Sequence, residues 1–435
     1  MADDSVEREA KHGAGRLIVP NVYEFNRRHR DGAGQASHAQ LFSQISFALY
    51  GITWDEPVVL LHTSLHPVLL AHWGEVLGYS PDFLICQPGT GYLCFDALND
   101  PACVAQLKMS SFQRLVSWGP TRESAALERE LTVAEKSADV WPLVGLLDGK
   151  AANRALLHSS AQHGSSVRVH PAAVIARGER GAAEVRDLLD AWTSVVVKPG
   201  LTWGGKGTVQ INADTFDEAA LRDFLEEGAG DSGARYWIVE PLIGSPDTNL
   251  SPSFDWRPGP DLAKGRARSG RMVMDGFRCT GTIYGKDALL QAAEFKGPME
   301  AFVERTAAFL ADLGYSDWFD VDFLVNGREV YVTESNVRHT GGTVPICIAD
   351  HLFGSDWEDH YTVVTLDALP TSGFDPRAIL EMGRALVRKC LGDAAVFVLT
   401  AYDNQISGGA MASIWVAGEG HDAVENCAFE IKAML

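Results

Sequence analysis

The chain of 435 residues is 46 % hydrophobic with a formal charge of −20, which allows a sizeable core over roughly two to four domains and disfavours nucleic acid, whose phosphates demand clustered Lys and Arg. Its longest apolar runs, Val58 to Leu61 and Pro67 to Ala71, fall far short of the ~20 residues of a membrane span. The 7 scattered cysteines include no CxxC and cannot all be bridged, so reduced thiols are expected; the polar start M-A-D-D-S-V-E-R-E-A predicts no export signal and a cytoplasmic location.

From about Leu17 to Ala138, strand-like runs at Val58 to His62, Phe83 to Cys86 and Leu115 to Trp118 alternate with helical stretches, an α/β layered pattern. Its turn signals, Pro88-Gly89-Thr90-Gly91 and Gly119-Pro120-Thr121, mark a substrate-facing edge, because open α/β sheets present ligands at strand ends. From Trp141 the pattern becomes a helix at Lys150 to Gly164, a strand at Ser194 to Lys198 and another at Thr208 to Ile211. Thr215 and Glu218 then suggest a capping box, with Gly228 near the end of that helix. Tyr236 to Leu242 reads as an apolar strand, and Arg271 to Tyr284 is strand-like. A helix at Met299 to Leu313 closes on Gly314, and a hairpin follows around Asn326-Gly327. The tail from Phe374 reads helix, strand, strand, helix, a small α+β appendage. Three regions result: 1–140, 141–360 with a lid subdomain at about 190–245, and 361–435. The basic cluster Lys264, Arg266, Arg268, Arg271 reads either as a solvated loop or as a phosphate neighbour.

Gly200-Leu201-Thr202-Trp203-Gly204-Gly205-Lys206 matches the P-loop spacing, but Gly207 stands where the metal-binding hydroxyl belongs. The β-rich Thr208-Val209-Gln210-Ile211 follows instead of a helix, so the loop joins two strands: an ordinary mobile hairpin, or a lid whose amides fold over phosphates. Lys198 ends the adjoining V-V-V strand, and a charge-assisted contact from it to phosphate is worth roughly 1.5–3 kcal/mol. Two matches are set aside. Gly228 to Gly233 fits GxGxxG but follows a helix, so it reads as a turn. His62 and His66 have metal-like spacing, but Pro67 breaks any helix between them, which favours packing or capping.

Glu334, Asn336 and Arg338 alternate, so an extended segment projects them on one face. Carboxylate and amide oxygens suit a hard cation such as Mg²⁺, and Asp322 across the hairpin is the natural third ligand. A two-residue Asn326-Gly327 turn would keep Phe319, Val321, Phe323, Val330 and Val332 on one apolar face and put Asp322 and Glu334 on opposite faces. The two acids share a face only if a longer loop or a bulge shifts the register, and that shift is predicted. A solvated hairpin with surface charges is the alternative.

This order of parts resembles the ATP-grasp ligase superfamily over about Trp141 to Gly354. The resemblance implies a multidomain α/β and α+β chain: an N-terminal α/β (pre-ATP-grasp) domain, the ATP-grasp region and the C-terminal α+β appendage. It implies ATP and Mg²⁺ as cofactors, with Lys150 and Lys198 on the phosphates and Gly204, Gly205, Lys206 and Gly207 in the lid. Glu240 and Leu242 would border the adenine, and Asp247 would hold the ribose. The metal ligands would be Asp322, Glu334 and Asn336, while Arg338 and Lys198 would act on the reacting groups. A phosphate-binding base on the middle strands is not assigned, with Arg271 and Arg278 as candidates. More narrowly, E-S-N-V-R-H-T-G-G-T and the flanking domains look like the peptide ligases of pheganomycin-type biosynthesis, which join a guanidino amino-acid-like carboxylate to a peptide amine. The partners implied are small-molecule carboxylate and amine or peptide substrates, without nucleic acid or membrane and with a homo-oligomer left open. A ligase making another small amide, a nucleotide-binding regulatory module without turnover and a kinase are the rival functions.

Overall fold

The computed structural model describes residues 15–27, 45–54, 57–87, 89–136, 138–161, 165–176, 178, 180–202, 204–232, 236–246, 248–259, 265–371, 375–404 and 409–435. Asp247 and Lys264 lie outside the described residues. Strands β1 (Gly15–Val19), β2 (Val58–Leu61), β3 (Asp82–Ile85) and β4 (Phe112–Ser117) form a parallel sheet in the order β3-β2-β1-β4. Leu17, Ile18, Val59 and Leu60 are fully buried, because helices cover both faces of a parallel sheet and its strands read as continuous apolar runs. The capping expected of the histidines is seen at His66, whose Nδ1 accepts from Val68 N at the start of helix Pro67–Leu77. His62 lies 3.1 Å from Asp96.

Glu24 is buried in this domain and accepts from Thr121 Oγ1 at 2.6 Å and Cys94 N at 2.7 Å. Burial raises its carboxyl from 4.5 to about 7, against the opposing pull of those donors. The native state therefore holds a proton there that the unfolded chain releases near 4.5, and the stability this confers is lost as pH rises through 7. Glu24→Gln should gain on the native protein between pH 5 and 8 by up to about 2 kcal/mol, read as a growing difference in denaturation midpoint; a pH-independent difference would place the charge elsewhere.

From Trp141 the chain forms helices Trp141–Leu147 and Lys150–Ser160 and short strands β5 (Val167–Val169) and β6 (Ala173–Ala176). The segment expected as a lid folds as β7 (Ser194–Pro199), β8 (Val209–Asn212) and β9 (Tyr236–Pro241), an antiparallel sheet in the order β6-β9-β7-β8. Helices Gly181–Trp192 and Glu218–Ser232 cover it, and Val185, Val195, Val197, Trp237 and Val239 are all fully buried beneath them. The capping box expected at Thr215 does not form. Asp217 Oδ1 instead accepts from Ala219 N at 2.9 Å and Ala220 N at 3.1 Å, a shorter reach from a carboxylate already next to the first turn. The turn expected at Gly228 to Gly233 is also corrected, since the helix runs on through Ser232; packing of its earlier turns carries the glycines along.

The remaining strands are β10 (Pro252–Arg257), β11 (Arg266–Asp275), β12 (Arg278–Gly285), β13 (Phe319–Asn326), β14 (Glu329–Asn336), β15 (Thr362–Thr371), β16 (Val396–Asn404) and β17 (Gly409–Gly418). They form one sheet, β16-β17-β15-β12-β11-β10-β13-β14-β5, so the C-terminal segment extends the sheet that carries the acidic hairpin. The basic cluster on β11 is neither a solvated loop nor a phosphate site. Arg268 is 1 % exposed and pairs with Asp350 and Glu358 at 2.5 Å each, and Arg271 pairs with Glu425 at 2.6 Å.

The β13–β14 hairpin shows the predicted shift. Asn326 pairs with Glu329, so the turn is centred on Gly327-Arg328, and Phe323 pairs with Val332 while Asp322 pairs with Glu334. The extra residue, Thr333, is a bulge that rotates the two acids to one face. Burying Val321, Phe323, Val330 and Val332 is worth about 1.5–3 kcal/mol each. A lost ladder hydrogen bond costs only about 1 kcal/mol, so the bulge is tolerated.

Candidate active site

A cavity of ≈ 860 Å³ opens between the lid, the long sheet and the N-terminal domain. Val196, Leu242, Ile243 and Leu324 give it an apolar wall, and Lys150, Lys198, Lys206 and Arg278 give it positive charge. Asp320, Asp322, Glu334, Asn336 and Arg338 line it from the acidic hairpin and the segment beyond. At the N-terminal domain, Trp118 and Tyr23 face it, whereas the Gly89–Gly91 turn does not. Those turn amides are already spent on the Asp96 carboxylate at 2.8–3.0 Å.

Lys150 opens its helix, with its amide bonded to Gly200 O at 3.1 Å and its Nζ 2.5 Å from Glu334 Oε1. Lys198 ends β7 with its Nζ 2.5 Å from Glu240 Oε2. Burial, and after it the Lys150 charge, pulls the Lys198 ammonium down to about 7. A polyanion between the two lysines would raise it again. Glu240 is 3 % exposed and also pairs with Arg154. His170 lies beside it at 3.9 Å, kept neutral by burial that lowers it to about 3. The Glu240 side chain is therefore spent on holding Lys198. The Leu242 amide is likewise committed, to Ser194 O at 2.9 Å, and Leu242 lines the cavity.

Gly204, Gly205 and Gly207 all adopt left-handed backbone, with φ of 58°, 75° and 74°. Gly205 packs on the β11–β12 turn so closely that a Cβ there would lie 1.8 Å from Phe277 O. Gly204, Gly205 and Lys206 line the cavity, whereas Gly207 is not among its lining residues and packs toward Pro199.

On the acidic hairpin, burial and then Glu334 raise Asp322 to about 7, and burial and then Asp322 raise Asp320 well above the carboxylate range. Asp322 Oδ1 is buried without a hydrogen-bond partner. Crowded carboxylates with an orphaned oxygen fit a divalent cation, which neutralises the repulsion. Among the described residues no three His, Cys, Asp or Glu side chains converge on one point. Asp322 and Glu334 would thus supply two ligands and leave the remaining positions to phosphate and water. Asn336 donates to Asp320 at 2.8 Å and Asp322 at 3.3 Å, and its oxygen accepts from Arg338 at 2.7 Å. Here it bridges acids and arginine, and its amide would have to turn to become a ligand. Arg338 is 7 % exposed, pairs with Asp148 at 3.0 Å and sits over the rings of Phe25 and Trp118.

The loop after Arg338 is held by Asp255, which accepts from Thr340 Oγ1 and Tyr284 OH at 2.6 Å each. Gly342 lies against this network: a Cβ there would meet Tyr284 OH at 1.9 Å and Asp255 Oδ2 at 2.4 Å. Gly342→Ala should therefore destabilise the chain by about 1–3 kcal/mol in chemical denaturation, and an unchanged midpoint would mean that the loop relaxes freely.

Sequence reasoning missed Arg154, Asp148, His170, Asp320 and Asp255. Arg154 follows Lys150 by four residues, so helical spacing places both on one face, and Asp320 shares the strand face of Asp322. Asp148, His170 and Asp255 carry no local signal. Arg278 reaches the cavity while Arg271 is bound to Glu425 outside it.

No family model matches the sequence, and no curated protein matches it. Solved structures do. An ADP complex of N5-carboxyaminoimidazole ribonucleotide synthetase superposes over 97 % of both chains with a TM-score of 0.60 at 12 % identity. Campylobacter jejuni biotin carboxylase in a β,γ-ATP complex covers 97 % of this chain and 92 % of its own, with a TM-score of 0.59 at 11 % identity. The biotin carboxylase domain of Hydrogenobacter thermophilus 2-oxoglutarate carboxylase, held with MgADP, ADP and bicarbonate, covers 95 % and 89 %, with a TM-score of 0.55 at 11 % identity. At these identities the match is one of architecture: the chain has the ATP-grasp fold over almost its whole length. Among the described residues no helix is long and apolar enough to cross a membrane.

Proposed function

We propose that the protein is an ADP-forming ATP-grasp ligase that activates a carboxylate with ATP and Mg²⁺ and joins it to an amine. One observation carries this: Lys150, Lys198, Asp322 and Glu334 line a single cavity that also receives Arg338, with Lys150 paired directly to Glu334. Cations on one side would hold phosphates, and the bound cation would supply charge neutralisation between them and the acids. A substrate carboxylate oxygen would attack the γ-phosphorus, with ADP leaving. The amine nitrogen would then attack the acyl carbon, lose a proton and expel phosphate. Arg338, fixed by Asp148 and Asn336, would steady the acyl oxygen as it gains charge.

The finer proposal is a peptide ligase acting on a guanidino amino-acid-like carboxylate and a peptide amine, suggested by the E-S-N-V-R-H-T-G-G-T motif. The cavity's size supports a second substrate beside a nucleotide, since it lies in the upper part of the roughly 300–1,000 Å³ range of ligand pockets. Bicarbonate is the second reading for the carboxylate, favoured by its presence in the Hydrogenobacter structure.

The test is ADP release across a panel of carboxylates that includes bicarbonate, with hydroxylamine present to trap acylphosphate as hydroxamate. Carboxylate-dependent ADP with matching hydroxamate is expected. ATP binding without any such turnover would favour a regulatory module, and ADP release dependent on a hydroxyl substrate would favour a kinase. Gly205→Ala should weaken ATP binding about tenfold, because left-handed backbone costs a residue with a Cβ about 1–2 kcal/mol before the overlap with Phe277 is relieved. An unchanged KM for ATP would uncouple the loop from the nucleotide.

A further inference from the structure

We infer that Asp367 anchors a cationic nitrogen group, ammonium or guanidinium, on one of the two substrates. This inference rests on the ligase reading for which substrate carries the cation, but not for whether the cation binds.

Asp367 lies in β15 and lines the cavity, within a stretch of wall built largely by the C-terminal strands. Leu366 pairs with Ile414 and Leu369 with Ala412, so Asp367 and Ala368 together stand opposite the single Ser413. Strict alternation would send one of the two into the core with Leu366 and Leu369, which are 0 % and 4 % exposed. The bulge turns both to the cavity, and it does so with Ala368 at φ 52°, a conformation that a residue with a Cβ adopts at a cost. The fold thus tolerates local strain where it presents this carboxylate.

The carboxylate is otherwise unanswered. Among the described residues Asp367 makes no ion pair, and Ser413 hydrogen-bonds it. Burial raises its carboxyl to about 6, and an arriving cation would favour the charged form again. The surrounding wall suits N–H donors. Thr282, Thr365, Thr400 and Ser413 bring hydroxyl acceptors, while Tyr284 and Trp415 bring aromatic surface. A divalent metal would find one carboxylate and no second acid among these groups, and a phosphate would be repelled. The position also borders the reacting centre: a methyl placed on Gly341 would lie 3.9 Å from Asp367 Oδ2, and Gly341 belongs to the loop that follows Arg338.

The test uses the full chain saturated with MgADP, titrated by calorimetry with methylammonium, methylguanidinium and neutral acetamide. Saturable binding of at least one cation, absent for acetamide, is expected, weakened about tenfold or more by Asp367→Asn. Asp367→Glu, which keeps the charge, should retain binding within a few-fold. Equal cation affinity in the native protein and Asp367→Asn, or no saturable binding of either cation, would overturn the proposal. Kinetics then assign the cation. A raised KM for the carboxylate in the hydroxamate assay places it on the acid, and a raised KM for the amine with unchanged hydroxamate formation places it on the nucleophile. If no carboxylate supports ADP release by the native protein, the ligase reading fails while the titration still decides the role of Asp367.

Discussion

Glu334→Ala is expected to lower carboxylate-dependent ADP release by about 10³-fold, at the upper end of what removing one charge-stabilising group commonly costs. Glu334 serves two partners at once. It holds Lys150 Nζ at 2.5 Å and stands opposite Asp322 across the bulged hairpin. Without it Lys150 loses its orienting anion, and the cation that would bind Asp322 loses a carboxylate ligand. The fold should survive, because the apolar side of the hairpin, Val330 and Val332 included, is untouched. Far-UV circular dichroism and a denaturation midpoint close to the native one would show this. An active Glu334→Ala protein with ordinary Mg²⁺ dependence would remove Glu334 from the site and with it most of the ligase argument.

Lys198→Ala should cost about 10²–10³ in kcat/KM for ATP, with the loss in both nucleotide affinity and turnover. Lys198 is one of three lysines that line the cavity, and burial and then the Lys150 charge pull its ammonium down to about 7, so added phosphate charge would stabilise it. Its partner Glu240 would not be stranded, because Arg154 pairs with the same carboxylate. A large kinetic loss with little loss of stability therefore distinguishes phosphate binding from a structural ion pair. If instead stability collapses and residual activity per folded molecule is unchanged, Lys198 serves the fold alone.

The local pattern carried much of the acidic site. Alternation placed Glu334, Asn336 and Arg338 on one face, and the conflict between that face and the apolar face of β13–β14 demanded a register shift. The shift appears as the bulge at Thr333, although its turn sits on Gly327-Arg328 and not on Asn326-Gly327. Turn chemistry there was an unreliable guide because burial of Phe323 and Val332 outweighs the preference of any two turn residues. The same competition explains the glycines at 228 and 230, which read as a turn and lie in a helix. The basic cluster on β11 was opaque for another reason. Its partners Asp350, Glu358 and Glu425 lie 82 to 154 residues away in sequence.

By itself the sequence determined which segments alternate as strands, where the glycine loop lies, and which lysines, acids and arginine come to line one cavity, because these follow from residue type and from periods of 2 and 3.6 within one element. Only the tertiary structure decided what each charge does. Glu240 borders the cavity with its carboxylate paired to Lys198, Asn336 turns its oxygen to Arg338, and Asp367 pairs with no cation among the described residues. Those outcomes depend on which distant charges are brought within a few ångströms and shut away from water, where an ion pair or its absence matters most. No local pattern encodes that encounter.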